Sequence, residues 1–256
     1  MIRPGLVSIT FRSLNPGEII DLAGRAGLEG IEWGGDVHVP HGDLETARRV
    51  SARTREAGLA VAAYGSYYEA GAGGGEGPAF DRVLATAVAL GAPTVRVWAG
   101  RKGSAEASPA ERKAVTDDLR RIGAQAGSAG LRVATEWHGN TLTDTPGSAV
   151  QLMREVGYPR VGSYWQTSPG EAPEVCRRGL TAILPHLVNL HVFQWSGTQR
   201  EPLARGGDAW TAYLRVAAAG GRDAWALLEY VAGDTPEQLL ADAATLRDWL
   251  LCVPGD

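Results

Sequence analysis

Residues 134–144 read ATEWHGNTLTD. A short apolar run ends in a carboxylate, an aromatic ring and an imidazole (Glu136, Trp137, His138), and a turn-rich polar segment follows at once. Such an ending is either a capped strand with a surface loop or one wall of an active site. Comparable endings recur along the chain. The run GIEW closes on Trp33, with Asp36, His38 and His41 just beyond. Tyr64, Tyr67, Tyr68 and Glu69 follow a third run, Trp98 ends a fourth, and Trp165–Gln166 end a sixth. His191 closes a seventh, with Gln194 and Trp195 beyond it, and Glu229–Tyr230 close an eighth. Five of the eight tryptophans (33, 98, 137, 165 and 195) fall at or just past these ends. Aromatic faces gathered on one rim would form a cup suited to the C–H face of a sugar ring.

The elements that must position these residues alternate between β-branched runs and longer amphipathic runs, the pattern of βαβ units and a parallel sheet. Strands are expected at 5–11, 30–33, 59–66, 94–100, 131–137, 161–166, 187–193 and 224–230. Helices are expected after Asn15 with Pro16 at the first position, then at 43–57, 79–90, 108–128, 145–156, 170–180, 207–219 and 235–251, with a glycine-rich loop at 71–77. Ser108 and Glu111 are spaced as a capping box. Glycine closes several helices just before the next strand, as in RAGLEG, EAGLA, ALGAP and SAGLR. Eight strand–helix pairs in 256 residues predict a single (β/α)8 TIM barrel spanning 1–256, with its site at the strand C-termini. No Gly-x-Gly-x-x-Gly follows the first strand, which weakens the doubly wound alternative.

Side-chain alternation adds a test. If His191 points inward so does Asn189, and if Trp98 does so does Arg96. Glu32 shares the inner face only if Trp33 points away. Glu32 and Arg96 could then form a buried, structural ion pair.

Composition sets the outer limits. A net charge of −4 and a sequence pI near 5.8 argue against nucleic acid and against an anionic membrane surface. No apolar run is long enough for a bilayer. No secretory h-region opens the chain, and Cys176 and Cys252 sit far apart, so a cytoplasmic location is expected.

The ordered set GIEW, ATEWHGNTLTD, VGSYWQ, LVNLHVFQW, PLARGGDAWTAYL and LLEYV resembles the xylose-isomerase-like TIM barrels, which include sugar-phosphate isomerases and epimerases and endonuclease IV. The resemblance covers essentially the whole chain. It implies one divalent metal ion (Mn, Mg, Zn or Co) held by a Glu, an Asp, a His and a Glu on strands 5 to 8. Carried onto this chain, these positions are Glu136, Gln166, His191 and Glu229. Gln166 replaces the family Asp, keeping an oxygen donor while removing one negative charge, and so weakens affinity. Pro169 stands where the family often has a His, and Val192–Phe193 stand where many members have Lys-Asp.

What the resemblance implies chemically is proton transfer by paired Glu136 and Glu229 on a metal-chelated hydroxy-ketone. The expected substrate contacts are Trp33, His38, Tyr64, Trp98, His138, Trp165, Trp195 and Arg205. The substrate would be a small sugar or polyol derivative, turned over by an isomerase or epimerase. A dehydratase or lyase would begin with the same enolisation, and loss of the metal would leave a sugar-binding barrel. Barrels of this type commonly pair, so a homodimer is compatible with the resemblance. Endonuclease-type repair needs more metal ligands and a basic face, and the acidic chain lacks that face.

Overall fold

A computed structural model describes residues 1–72 and 77–253. The glycine-rich loop expected at 71–77 therefore lies mostly outside the described residues. Eight parallel strands close into a barrel: β1 (Ile2–Val7), β2 (Gly30–Gly34), β3 (Ala60–Glu69), β4 (Thr94–Trp98), β5 (Arg132–Thr135), β6 (Val161–Trp165), β7 (Leu187–Val192) and β10 (Ala224–Leu228). A two-stranded antiparallel hairpin, β8 (Gln194–Ser196) with β9 (Gln199–Glu201), interrupts the series between β7 and the last barrel strand. Barrel neighbours follow chain order, and β1 closes the ring between β2 and β10.

Helices α1 (Pro16–Arg25), α2 (Leu44–Glu56), α3 (Phe80–Leu90), α4 (Pro109–Ser128), α5 (Pro146–Val156), α6 (Pro173–Ile183), α7 (Gly207–Ala218) and α8 (Pro236–Leu251) ring the outside. Their starts follow local chemistry. Asn15 and Ser108 each accept from the backbone of the first turn while Glu18 and Glu111 reach back, completing two capping boxes ahead of a proline. Helix α6 starts three residues later than the expected 170, because Pro173 takes the first helical position.

Two apolar layers result. The larger lies between strands and helices and includes Leu6, Ile31, Val95, Val133, Leu190 and Leu228. The smaller fills the barrel and includes Val7, Ala62, Ala134, Tyr164, Val188, Trp225 and Leu227. Strand residues divide between them by alternation. This decides which strand-end side chains can reach the axis. Among the described residues no helix is long and apolar enough to cross a membrane.

Candidate active site

The inner face of the barrel carries its charge on Glu32 (β2), Arg96 (β4) and His191 (β7), with Glu136 and Glu229 one residue past β5 and β10. All five are buried. A charge removed from water must be partnered, and here the partners are one another. Arg96 Nε donates to Glu32 Oε1 at 2.7 Å, and Arg96 Nη1 donates to Glu136 Oε2. Tyr164 donates to Glu32 Oε2 at 2.8 Å and accepts in turn from Asn189 Nδ2 at 2.8 Å. Gly65 of β3 makes room for the pair, since a Cβ there would lie 2.8 Å from Arg96 Nη2 and 2.9 Å from Glu32 Oε1. The expected Glu32–Arg96 pair is present and extends further than the sequence indicated, because Arg96 also grips Glu136.

His191 is the focus. Its Nδ1 lies 3.0 Å from Gln166 Oε1, 3.3 Å from Glu229 Oε2 and 3.7 Å from Glu136 Oε1. Donor atoms of Glu136, His191 and Glu229 all fall within 4.8 Å of one another. An octahedral ion with bonds of about 2.1 Å separates adjacent donors by about 3 Å, so these residues fit a hard divalent cation with Gln166 as fourth donor. On its far side, His191 Nε2 has no hydrogen-bond partner and faces Glu32 Oε1 at 3.6 Å. In this structure Nδ1 donates to Gln166 Oε1; a cation at this point would take the place of that proton, with the Glu32 carboxylate left facing the one on Nε2.

The electrostatics agree. Burial would lower the His191 pKa, but Glu229 and Glu32 outweigh it and push it up to about 10. Burial would likewise raise Glu32, but Arg96 and His191 hold its carboxyl down at about 2. The carboxylates thus concentrate a demand for positive charge at the point where the donors converge.

The rim has two aromatic sides. On one, Trp98 Nε1 donates to Glu136 Oε2 at 2.6 Å, and its ring stacks on His138 with centroids 5.0 Å apart and planes 18° apart. Tyr67 meets Trp98 edge-on and accepts from Arg12, which is itself paired with Asp36. On the other, Trp195 packs against Phe193 and Tyr230. Tyr230, the residue after Glu229, has φ +56°, a left-handed conformation uncommon outside glycine and a form of strain that clusters at functional sites. Its amide donates to Thr10 Oγ1 at 3.2 Å.

Several expected contacts lie elsewhere. Trp33 is fully buried in the outer layer against His38, because Glu32 takes the inward position beside it. Tyr64 also points outward and donates to the Val39 carbonyl at 2.8 Å. Trp165 packs under α7 on Trp210 and Tyr213. Trp137 faces away too, with Gly179 of α6 close by. Both nitrogens of His38 are engaged within the protein, by Ser8 Oγ at 2.9 Å and the Leu14 carbonyl at 3.2 Å. Arg205 is exposed, pairs with Glu201 at 3.3 Å, and lines a cleft between residues 167–173 and α7 that shares Trp195 with the rim. The aromatic cup therefore reduces to Trp98 and Trp195, joined by Tyr67 and Tyr230.

Fold and site together describe a TIM barrel whose C-terminal mouth gathers a Glu–His–Glu donor set that could hold a metal ion. Residues 20–250 match the family described as the xylose isomerase-like TIM barrel, and the chain belongs to that family. A 3-dehydroshikimate dehydratase of Bacillus anthracis is 28% identical over 165 residues, 61% of this chain and 58% of that protein. The match thus spans less than two thirds of the relative's length. The crystal structure of the probable 3-DHS dehydratase involved in petrobactin synthesis from Bacillus anthracis superposes with a TM-score of 0.79 at 21% identity, covering 96% of this chain and 99% of that one. D-psicose 3-epimerase from Clostridium cellulolyticum H10, solved with D-tagatose, gives 0.72 at 12% identity over all of both chains. At such identities the superpositions speak for the fold.

Proposed function

We propose that the chain is a divalent-metal-dependent enzyme that enolises a small polyhydroxylated ketone and completes the reaction as a dehydratase. The observation that carries this reading is the binding state of Glu136. Its Oε2 accepts from both Arg96 and Trp98, which leaves Oε1 as the oxygen facing the other donors. With Oε2 occupied by two donors and Oε1 turned to the other metal-ligand candidates, Glu136 is placed as a ligand and has no oxygen left to aim at a substrate proton. An exchange in which one glutamate removes a proton and the other returns it needs both carboxylates free.

His138 offers another base. Its Nδ1 lies 2.6 Å from the Gly139 carbonyl oxygen. A carbonyl only accepts, so Nδ1 carries the proton and Nε2 of the neutral ring holds a bare lone pair. Stacking on Trp98 keeps that ring beside Glu136. A bound Mg²⁺ or Mn²⁺, which suits this oxygen-rich donor set, would polarise the substrate carbonyl and acidify the adjacent C–H. His138 Nε2 takes that proton, and the electron pair becomes a C=C bond as the C–O bond at the β-carbon breaks. The imidazolium returns its proton to the departing hydroxyl. One water leaves and the ring is neutral again. The 28% identity to a 3-dehydroshikimate dehydratase supports this outcome.

A second reading, an isomerase or epimerase of a sugar or polyol derivative, is favoured by the convergence of Glu136 and Glu229 on one centre. The two diverge after the first proton removal. The test loads the protein with Mn²⁺ in D₂O and offers β-hydroxy-ketones, 3-dehydroshikimate among them, beside free ketoses. Dehydration gives a conjugated chromophore, and His138→Gln should abolish it while leaving metal content unchanged. Deuterated epimers without a chromophore, with full activity in His138→Gln, would overturn the dehydratase reading.

A further inference from the structure

The opposite mouth of the barrel has its own pattern. Four barrel strands adjacent in space, β5, β6, β7 and β10, each begin at or just after a basic residue. Arg132 opens β5, Arg160 precedes β6, His186 precedes β7, and Arg222 stands two residues before β10. Because the strands are parallel neighbours, the four side chains share one arc of the N-terminal mouth. They line a cleft of about 330 Å³ whose remaining wall includes Met153, Tyr158, Pro185 and Val188.

Arg132, Arg160, Arg222 and Arg154 on α5 form no ion pair among the described residues. Other surface arginines such as Arg101, Arg112, Arg121 and Arg200 lie against carboxylates. Many arginines of this chain lack an ion pair among the described residues; what sets Arg132, Arg160 and Arg222 apart is that they share one concave wall with no carboxylate in it. Their field reaches into the cleft: His186 titrates below its ordinary value through burial first, then through repulsion by Arg222 and Arg154. Guanidinium forks match the oxygens of phosphate, and a concave wall with few competing acids concentrates their potential.

We propose that this cleft is a binding site for a small phosphoanion, held by Arg132, Arg160 and Arg222 with His186 as a further donor. It lies at the opposite end of the barrel from the metal donors and does not depend on the reaction they perform. The phosphates could be free or carried by an organic group packed on Tyr158 and Met153.

Calorimetric titration of the full chain at low salt, with inorganic pyrophosphate and separately with ADP, tests this. One-site saturable binding is expected, weakened tenfold or more in Arg160→Gln/Arg222→Gln and unchanged in Arg25→Gln, a substitution at an exposed arginine outside the cleft. Tighter binding of ADP assigns the organic group to Tyr158 and Met153, while equal binding assigns recognition to the phosphates alone. Both support the site. If the double variant melts early, each single substitution carries the same test. No saturation of either probe below about 10 mM, or equal loss in Arg25→Gln, would overturn it.

Discussion

The two mouths of the barrel handle charge in opposite ways. At the C-terminal mouth Glu32, Arg96, Glu136, His191 and Glu229 are withdrawn from water and interlock. At the N-terminal mouth Arg132, Arg160 and Arg222 stand in solvent without a carboxylate partner among the described residues. Burial makes each charge a condition for its neighbours, because an unpaired ion in the interior costs several kcal/mol. Exposure leaves each charge nearly independent, since water and salt screen it. One end can therefore hold a rigid donor set in a fixed protonation state. The other can present a field to a ligand while leaving the fold almost untouched.

Arg96→Met should show the contrast most strongly. It strands Glu32 and Glu136 together, with an expected loss of about 3–5 kcal/mol in urea unfolding. Arg160→Met should change stability by less than about 0.5 kcal/mol. Equal losses would break the comparison. Next in size is Glu32→Gln. The amide keeps an acceptor for Arg96, turns an NH2 toward the Tyr164 hydroxyl in place of an acceptor, and removes the carboxylate charge behind His191 Nε2. Mn²⁺ affinity should fall roughly 10–100-fold with the circular dichroism spectrum intact. An unchanged affinity would mean that Glu32 serves the fold alone.

Much of this was legible in the sequence, for reasons that differ by element. Eight units could be read because the strands are short apolar runs, six of the eight helices open on a capping side chain or a proline, and glycine closes many of the turns. Asn15, Ser108 and Gly91 act within a few residues of themselves. Glu136, His191 and Glu229 could be placed together because parallel strands in a closed barrel deliver their ends to one mouth. What the sequence did not reveal was which neighbour on a strand faces the axis. Alternation links Glu32 to the orientation of Trp33 without choosing between them, and the choice rests on Arg96, 64 residues away. Trp165 is drawn outward by Trp210 and Tyr213, and His38 is held by Ser8 and Leu14, partners with no local signature. The hairpin at β8 and β9 is three residues per strand, too short for a period to show.

Gln166→Asp sharpens the comparison at the metal end. It adds a negative charge to the donor set at the position where Oε1 meets His191 Nδ1. Attraction to a dication should strengthen on the order of tenfold, measured by Mn²⁺ titration against the wild type. Weaker binding would show that Gln166 turns away from the cation.

The smallest expected effect belongs to the other mouth, and its salt dependence makes it diagnostic. His186 is held below its ordinary titration range by burial, then by Arg222 and Arg154. Arg222→Gln removes one repulsion on the imidazolium, so the His186 titration followed by proton NMR should move up. Raising salt to about 1 M, where the Debye length is about 3 Å, should shrink the difference between variant and wild type. The same salt should leave the stability loss in Arg96→Met nearly unchanged, because a buried network is screened far less. If His186 ignored both the substitution and the salt, the arginines would be too distant to act through the cleft. A salt-sensitive loss in Arg96→Met would instead mean that water reaches the pair, and the contrast between the two mouths would then be one of degree.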